Sequence, residues 1–135
     1  MFEAGVDEEP ADSSRADIFA VDVMFCKLEI FIPESHLAVL QETLRACDAG
    51  HIGNYDSCMS YSRVISTWRP LDGTHPYSGT VGAISEEEEI KAEVTVRVEE
   101  ADRVIQAVKA IHPYEEPVIN AIPLLRTGIT KDPPP

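Results

Sequence analysis

The chain alternates apolar and polar residues in some stretches and repeats them at helical spacing in others. Cys26, Leu28, Ile30 and Ile32 alternate with Phe25, Lys27, Glu29 and Phe31, which predicts a strand that Pro33 ends. In "ESHLAVLQETLRACDAG" (34–50), Leu37, Leu40, Leu44 and Cys47 fall on one helical face, and Gly50 closes the helix. "SCMSYSRVISTW" (57–68) reads as a second strand, followed by a long Pro/Gly-marked turn over 69–79 and a short strand-like piece, "TVGAI". "IKAEVTVRV" (90–98) is a third main strand, "EEADRVIQAVKAIH" (99–112) a second helix, and "PVINAIPLL" (117–125) a fourth strand.

The two strand–helix units repeat with an offset of 64. Lys27, Leu28, Glu29, Ile30 and Ile32 fall on Lys91, Ala92, Glu93, Val94 and Val96, and without a gap Leu37, Leu40 and Leu44 fall on Ala101, Val104 and Val108. β-α-β followed by β-α-β is the ferredoxin-like α+β pattern, an antiparallel sheet with two helices on one face. The first and third strands are then central. Pro117 and Pro123 suit the fourth to an edge, because proline cannot donate to a ladder. The opposite sheet face carries Lys27, Glu29, Phe31, Lys91, Glu93, Thr95 and Arg97, an amphipathic surface that is either wet or a subunit interface.

Charge narrows the function. The 135 residues carry a net −13, which disfavours nucleic acid and acidic membrane surfaces as partners and tolerates cations or a basic partner. Seven acidic residues stand against Arg15 in the first 24, so 1–24 is expected to be an acidic extension, disordered over 1–16. The expected domain is 25–125, with 126–135 a tail that ends in "KDPPP". Cys26, Cys47 and Cys58 form no Cys-x-x-Cys pair, and their odd number favours a reducing, cytoplasmic setting.

Gly53-Asn54-Tyr55, Cys58, Arg69-Pro70-Leu71, Gly73, Pro76, Gly79, Val81-Gly82, the acidic "EEEE" and the closing "HPYEEP" (112–117) carry a family resemblance. Over about 27–125 the chain resembles the insert domain of the NGG-interacting-factor-three-like family, also found as short stand-alone proteins. Its last helix and "HPYEEP" look like the CutA-type cation-tolerance proteins. The resemblance implies the PII/CutA-like form of the ferredoxin-like fold and a homotrimer assembled through its sheets. Its match and position also make "SEEEEI" (85–90) a defined turn before the third strand. Val64 and Ser66 stand where the family usually has glycine. His75 stands where it has asparagine, so the "HPY" echo at 75–77 reads as incidental. Full-length members resemble dinuclear metal proteins, some with cyclohydrolase-type names. Their metal ligands are implied to lie in flanking lobes outside the insert, so no enzymatic activity is carried over.

"HPYEEP" has a mechanical reading: His112 as a cation at the helix end, Pro113 as the stop, Tyr114 with its hydroxyl near water, Glu115 and Glu116 solvated, Pro117 opening an edge strand. The chemical reading makes His112, Tyr114, Glu115 and Glu116, with Asn54 and Tyr55 on a loop at a subunit cleft, the lining of a small-molecule effector site. Alternatively, His112, Glu115 and Glu116 with Cys58 or His51 from a neighbour hold copper or zinc, since imidazole, carboxylate and thiolate all ligate. No nucleophile–base pair or catalytic carboxylate pair follows from spacing. A non-enzymatic binding or regulatory module, with no cofactor or else a divalent metal ion, is the expectation.

Overall fold

The computed structural model describes residues 22–129; the acidic stretch expected over 1–16 and the closing "KDPPP" lie outside them. The elements are β1 (Phe25–Ile32), α1 (Leu37–Ala46), β2 (Ser60–Trp68), β3 (Ser85–Arg97), α2 (Ala101–Ile111) and β4 (Ile119–Leu124). Each helix is entered through a 3-10 turn, Glu34–His36 and Val98–Glu100. All neighbouring strands are antiparallel in the order β2-β3-β1-β4, so β1 and β3 are central and the proline-bearing β4 is an edge.

The alternation in β1 and β3 separates two faces. Leu28, Ile30 and Ile32 of β1 and Ile90, Ala92, Val94 and Val96 of β3 pack on Leu40 and Leu44 of α1 and on Ala101, Val104 and Val108 of α2. Burial of this set supplies the main driving force for folding. Cys26 belongs to the same core, and Cys47 packs against it.

The opposite face bears out the internal repeat. Glu29 lies directly across from Glu93, the residue 64 positions later, so an approximate two-fold axis passes between them. Two like charges opposite one another would destabilise the pair. Lys27 reaches Glu93 at 3.5 Å and its counterpart Lys91 reaches Glu29 at 3.4 Å, which neutralises them in a two-fold pattern.

Two sequence expectations are corrected. "SEEEEI" is not a turn but the first half of β3, with Ser85 to Glu89 paired to Trp68 back to Val64. "TVGAI" forms no strand. Its residues make the reversal into β3, closed by Ala83 N–H donating to Thr80 O at 3.0 Å. The β2–β3 hairpin therefore outruns the helices. On the helix-facing side of that overhang Ile65 is 67% exposed, beside the exposed Glu86 and Glu88.

Candidate functional site

At the far end of β1, the overhanging hairpin, the turn after β2 and the segment between α2 and β4 enclose a cavity of about 580 Å³. Its floor is the open sheet face, where Phe31 of β1, Ser66 and Trp68 of β2 and Glu89 of β3 project. Its walls come from Pro70, Leu71, Pro76 and Tyr77 on one side and from Tyr114, Glu115, Glu116 and Val118 on the other.

Local chemistry holds these walls. The Trp68 indole N–H donates to Ser78 O at 3.1 Å, and the Ser78 hydroxyl donates to Glu87 at 2.7 Å, tying the long turn to the hairpin. Gly79 makes this possible. Its φ of +105° disfavours any side chain, and a Cβ there would meet Ser85 Oγ and Trp68 Nε1. The Tyr77 ring lies 5.8 Å from that of Tyr114, and Trp68 lies 6.0 Å from Tyr114 on another side. The His75 backbone N–H donates to Glu115 Oε1 at 2.9 Å. The two "HPY" stretches therefore meet. The echo is not incidental, although it is the His75 backbone and the Pro76 and Tyr77 side chains that contribute.

Within "HPYEEP" the structure corrects the roles read from sequence. His112 is no helix-end cation. It is buried, its Nε2–H donates to Phe31 O, and its Nδ1 accepts from the Tyr114 N–H at 3.2 Å. Burial pushes its pKa below the ordinary value, against the opposing pull of the Phe31 carbonyl. A neutral histidine here acts as a clasp between the end of β1 and the start of the wall. The Tyr114 hydroxyl has a protein partner. It donates to Glu89 Oε2 at 2.6 Å, and burial first, then the bond to Glu89 and its negative charge, raise the phenol's pKa well above its ordinary value.

Sequence reasoning missed Phe31, Trp68, Tyr77 and, most consequentially, Glu89. It is only 5% exposed although it sits in a run of four glutamates. The available signal was its phase. Glu89 shares the register of Lys91 and Glu93 on the open face, while Glu88 and Glu86 point the other way.

The other predicted residues lie elsewhere. His51 borders a cleft with Phe25 and Arg97, at the end of the sheet opposite to Phe31. Asn54 and Tyr55 are exposed on the adjoining turn, where Ile52 and Tyr55 exchange backbone hydrogen bonds. Cys58 is half-buried and borders a small cleft beside Val94, its backbone N–H bonded to Gly50 O at 3.0 Å. One chain therefore brings together His112, Tyr114, Glu115 and Glu116, but not Asn54, Tyr55, Cys58 or His51.

The proposed metal ligands do not form a metal site within one chain. Both ring nitrogens of His112 are engaged. Those of His51 lie against two acceptors, Asp48 Oδ1 at 2.9 Å and Gly53 O at 3.0 Å, and the bond to Asp48 and its negative charge raise the His51 pKa. Among the described residues, no three His, Cys, Asp or Glu side chains are grouped to hold an ion.

Residues 74–128 match the family model of the CutA1 divalent ion tolerance protein. Over 104 residues the chain is 39% identical to the GTP cyclohydrolase 1 type 2 homolog of Halalkalibacterium halodurans, covering 77% of this chain but 28% of that protein. The chain thus spans under a third of the length of the curated relatives it matches. A Bacillus cereus protein related to NIF3 superposes with a TM-score of 0.68 at 27% identity, over 84% of this chain and 32% of that one. The periplasmic divalent cation tolerance protein CutA of Archaeoglobus fulgidus superposes with a TM-score of 0.59 at 24% identity, over 77% of this chain and 87% of that one, a likeness of fold. Together these likenesses support a CutA/PII-like, NIF3-related domain over the body of the chain.

Proposed function

We propose that this chain is an oligomeric, non-enzymatic binding module whose small ligand occupies the cavity between "HPYEEP" and the 69–79 turn. The observation that carries the reading is the cavity: about 580 Å³, lined by Phe31, Trp68, Tyr77 and Tyr114 together with the buried Glu89 carboxylate. A concave, mostly apolar pocket with a few fixed polar groups is the usual form of a small-molecule site. Catalysis is disfavoured by the same geometry. His112 is clasped at both nitrogens, and Tyr114 keeps its proton. Trp68 is the sole tryptophan and lines the cavity, so a library screened by thermal shift and followed by Trp68 emission tests the reading. Stabilising compounds are expected to change that emission. Turnover of GTP by the purified chain would overturn the non-enzymatic assignment.

Self-association completes the proposal. The amphipathic open face and the exposed Leu71, Ile65 and Ile84 around the hairpin offer apolar surface for a homotrimer. A monomer alone in light scattering at micromolar concentration would refute it. The CutA1 likeness favours a second reading, divalent-cation binding with ligands shared between subunits. Titration calorimetry with copper, zinc and nickel tests it, and no heat would remove it.

A further inference from the structure

We propose that the cavity selects an organic ammonium, a primary amine on an apolar or aromatic body, through the Glu89 carboxylate. This rests on the binding reading above and adds the charge and chemistry of the ligand.

Three observations lead there. Glu89 is buried, only 5% exposed, and it lines the cavity. Its Oε2 takes the Tyr114 hydroxyl, while among the described residues its Oε1 receives no donor. A buried carboxylate oxygen without a donor is costly, and an N–H donor that carries positive charge relieves that cost most. Second, the rings of Trp68, Tyr77 and Tyr114 stand within about 6 Å of their neighbours on the same cavity. Aromatic faces attract a cation through their quadrupole while packing the apolar part of the ligand. Third, the charges lining the cavity are Glu89, Glu115 and Glu116 against Arg69 alone, on a chain of net −13. The field concentrates cations at the mouth and repels anions.

The same facts disfavour other occupants. An anion would meet three carboxylates. A bare metal ion would find mostly apolar walls and, among the described residues, no group of three ligating side chains. The cavity volume lies inside the roughly 300–1,000 Å³ range of small-molecule pockets.

Three probes of similar shape test the charge. They are 2-phenylethylammonium, neutral 2-phenylethanol and anionic 3-phenylpropanoate, titrated at pH 7.5 against Trp68 emission excited at the red edge, and checked by calorimetry. The ammonium is expected to bind about ten-fold or more tighter than the alcohol, with the carboxylate weakest. Glu89→Gln keeps the shape and an acceptor for Tyr114, and is expected to erase the ammonium's advantage while leaving the alcohol's affinity within about two-fold. Should Glu89→Gln fail to fold, as judged by circular dichroism, Glu115→Gln at the rim takes its place, with an expected loss of about two- to three-fold for the ammonium alone. Equal binding of ammonium and alcohol, or an advantage that survives the variant, overturns the ammonium assignment and leaves the binding reading standing. No binding by any probe counts against both.

Discussion

Tyr114→Phe isolates one hydrogen bond at the centre of the cavity. The phenylalanine ring keeps the packing of Tyr114 on Trp68, Tyr77 and His112, whose ring lies 4.9 Å away. What is lost is the hydroxyl that meets Glu89 Oε2 at 2.6 Å. A hydrogen bond to a charged group contributes about 1.5–3 kcal/mol net, and the carboxylate left behind is buried and without a replacement donor. A loss of about 1.5–3 kcal/mol corresponds to a fall of about 6–12 °C in Tm for a domain of this size, at about 4 °C per kcal/mol. Urea unfolding followed by Trp68 emission and by circular dichroism measures the change. Protein concentration is held fixed because association would otherwise shift the midpoint. Crossing the change with Glu89→Met, which keeps the length of the side chain and removes the acceptor, gives the pairwise term, expected to reach about 1.5 kcal/mol. A loss under about 0.5 kcal/mol, or two changes that simply add, would refute the claim that this pair anchors the cavity wall.

Three further outcomes follow from the same geometry. The raised Tyr114 pKa keeps its phenol protonated in the fold, whereas the unfolded chain ionises from about pH 10. Wild type should therefore lose stability faster than Tyr114→Phe as pH rises above about 10, by up to about 1.4 kcal/mol per pH unit, and equal slopes would contradict the buried phenol. By NMR titration His51 should titrate above and His112 below the ordinary value of about 6.5, with the His112 contribution to stability present above about pH 6.5 and lost as pH falls below it; a reversed order of the two would overturn the clasp. Gly79→Ala places a Cβ against Ser85 and Trp68 at a positive φ, so it should cost about 1–3 kcal/mol and shift Trp68 emission, and an unchanged spectrum would show that the turn does not rest on the indole.

The frame was legible because β1, the second half of β3 and both helices each bury one face. Leu28, Ile30 and Ile32 could alternate with charges only if one side met a core, and the offset of 64 placed both halves in one register. The overhang was not legible for the same reason. Glu86 to Glu89 lie beyond the helices, so no apolar alternation marks them as strand. The site was legible in part. "HPYEEP" does stop a helix and lead into an edge strand, but its chemistry depends on contacts across 81 residues to Phe31, 40 to His75 and 25 to Glu89. Those distances carry no local signal. The metal-ligand reading drew Cys58 or His51 from a neighbouring subunit, and the fold places His51 and His112 at opposite ends of β1.

The central claim, that the cavity binds a small ligand, is tested most directly by titrating 2-phenylethylammonium into the intact chain while recording Trp68 emission, in wild type and in Glu89→Gln. The account predicts a saturable change in wild type that weakens by about ten-fold in the variant. A wild-type emission that stays flat through millimolar probe would contradict it.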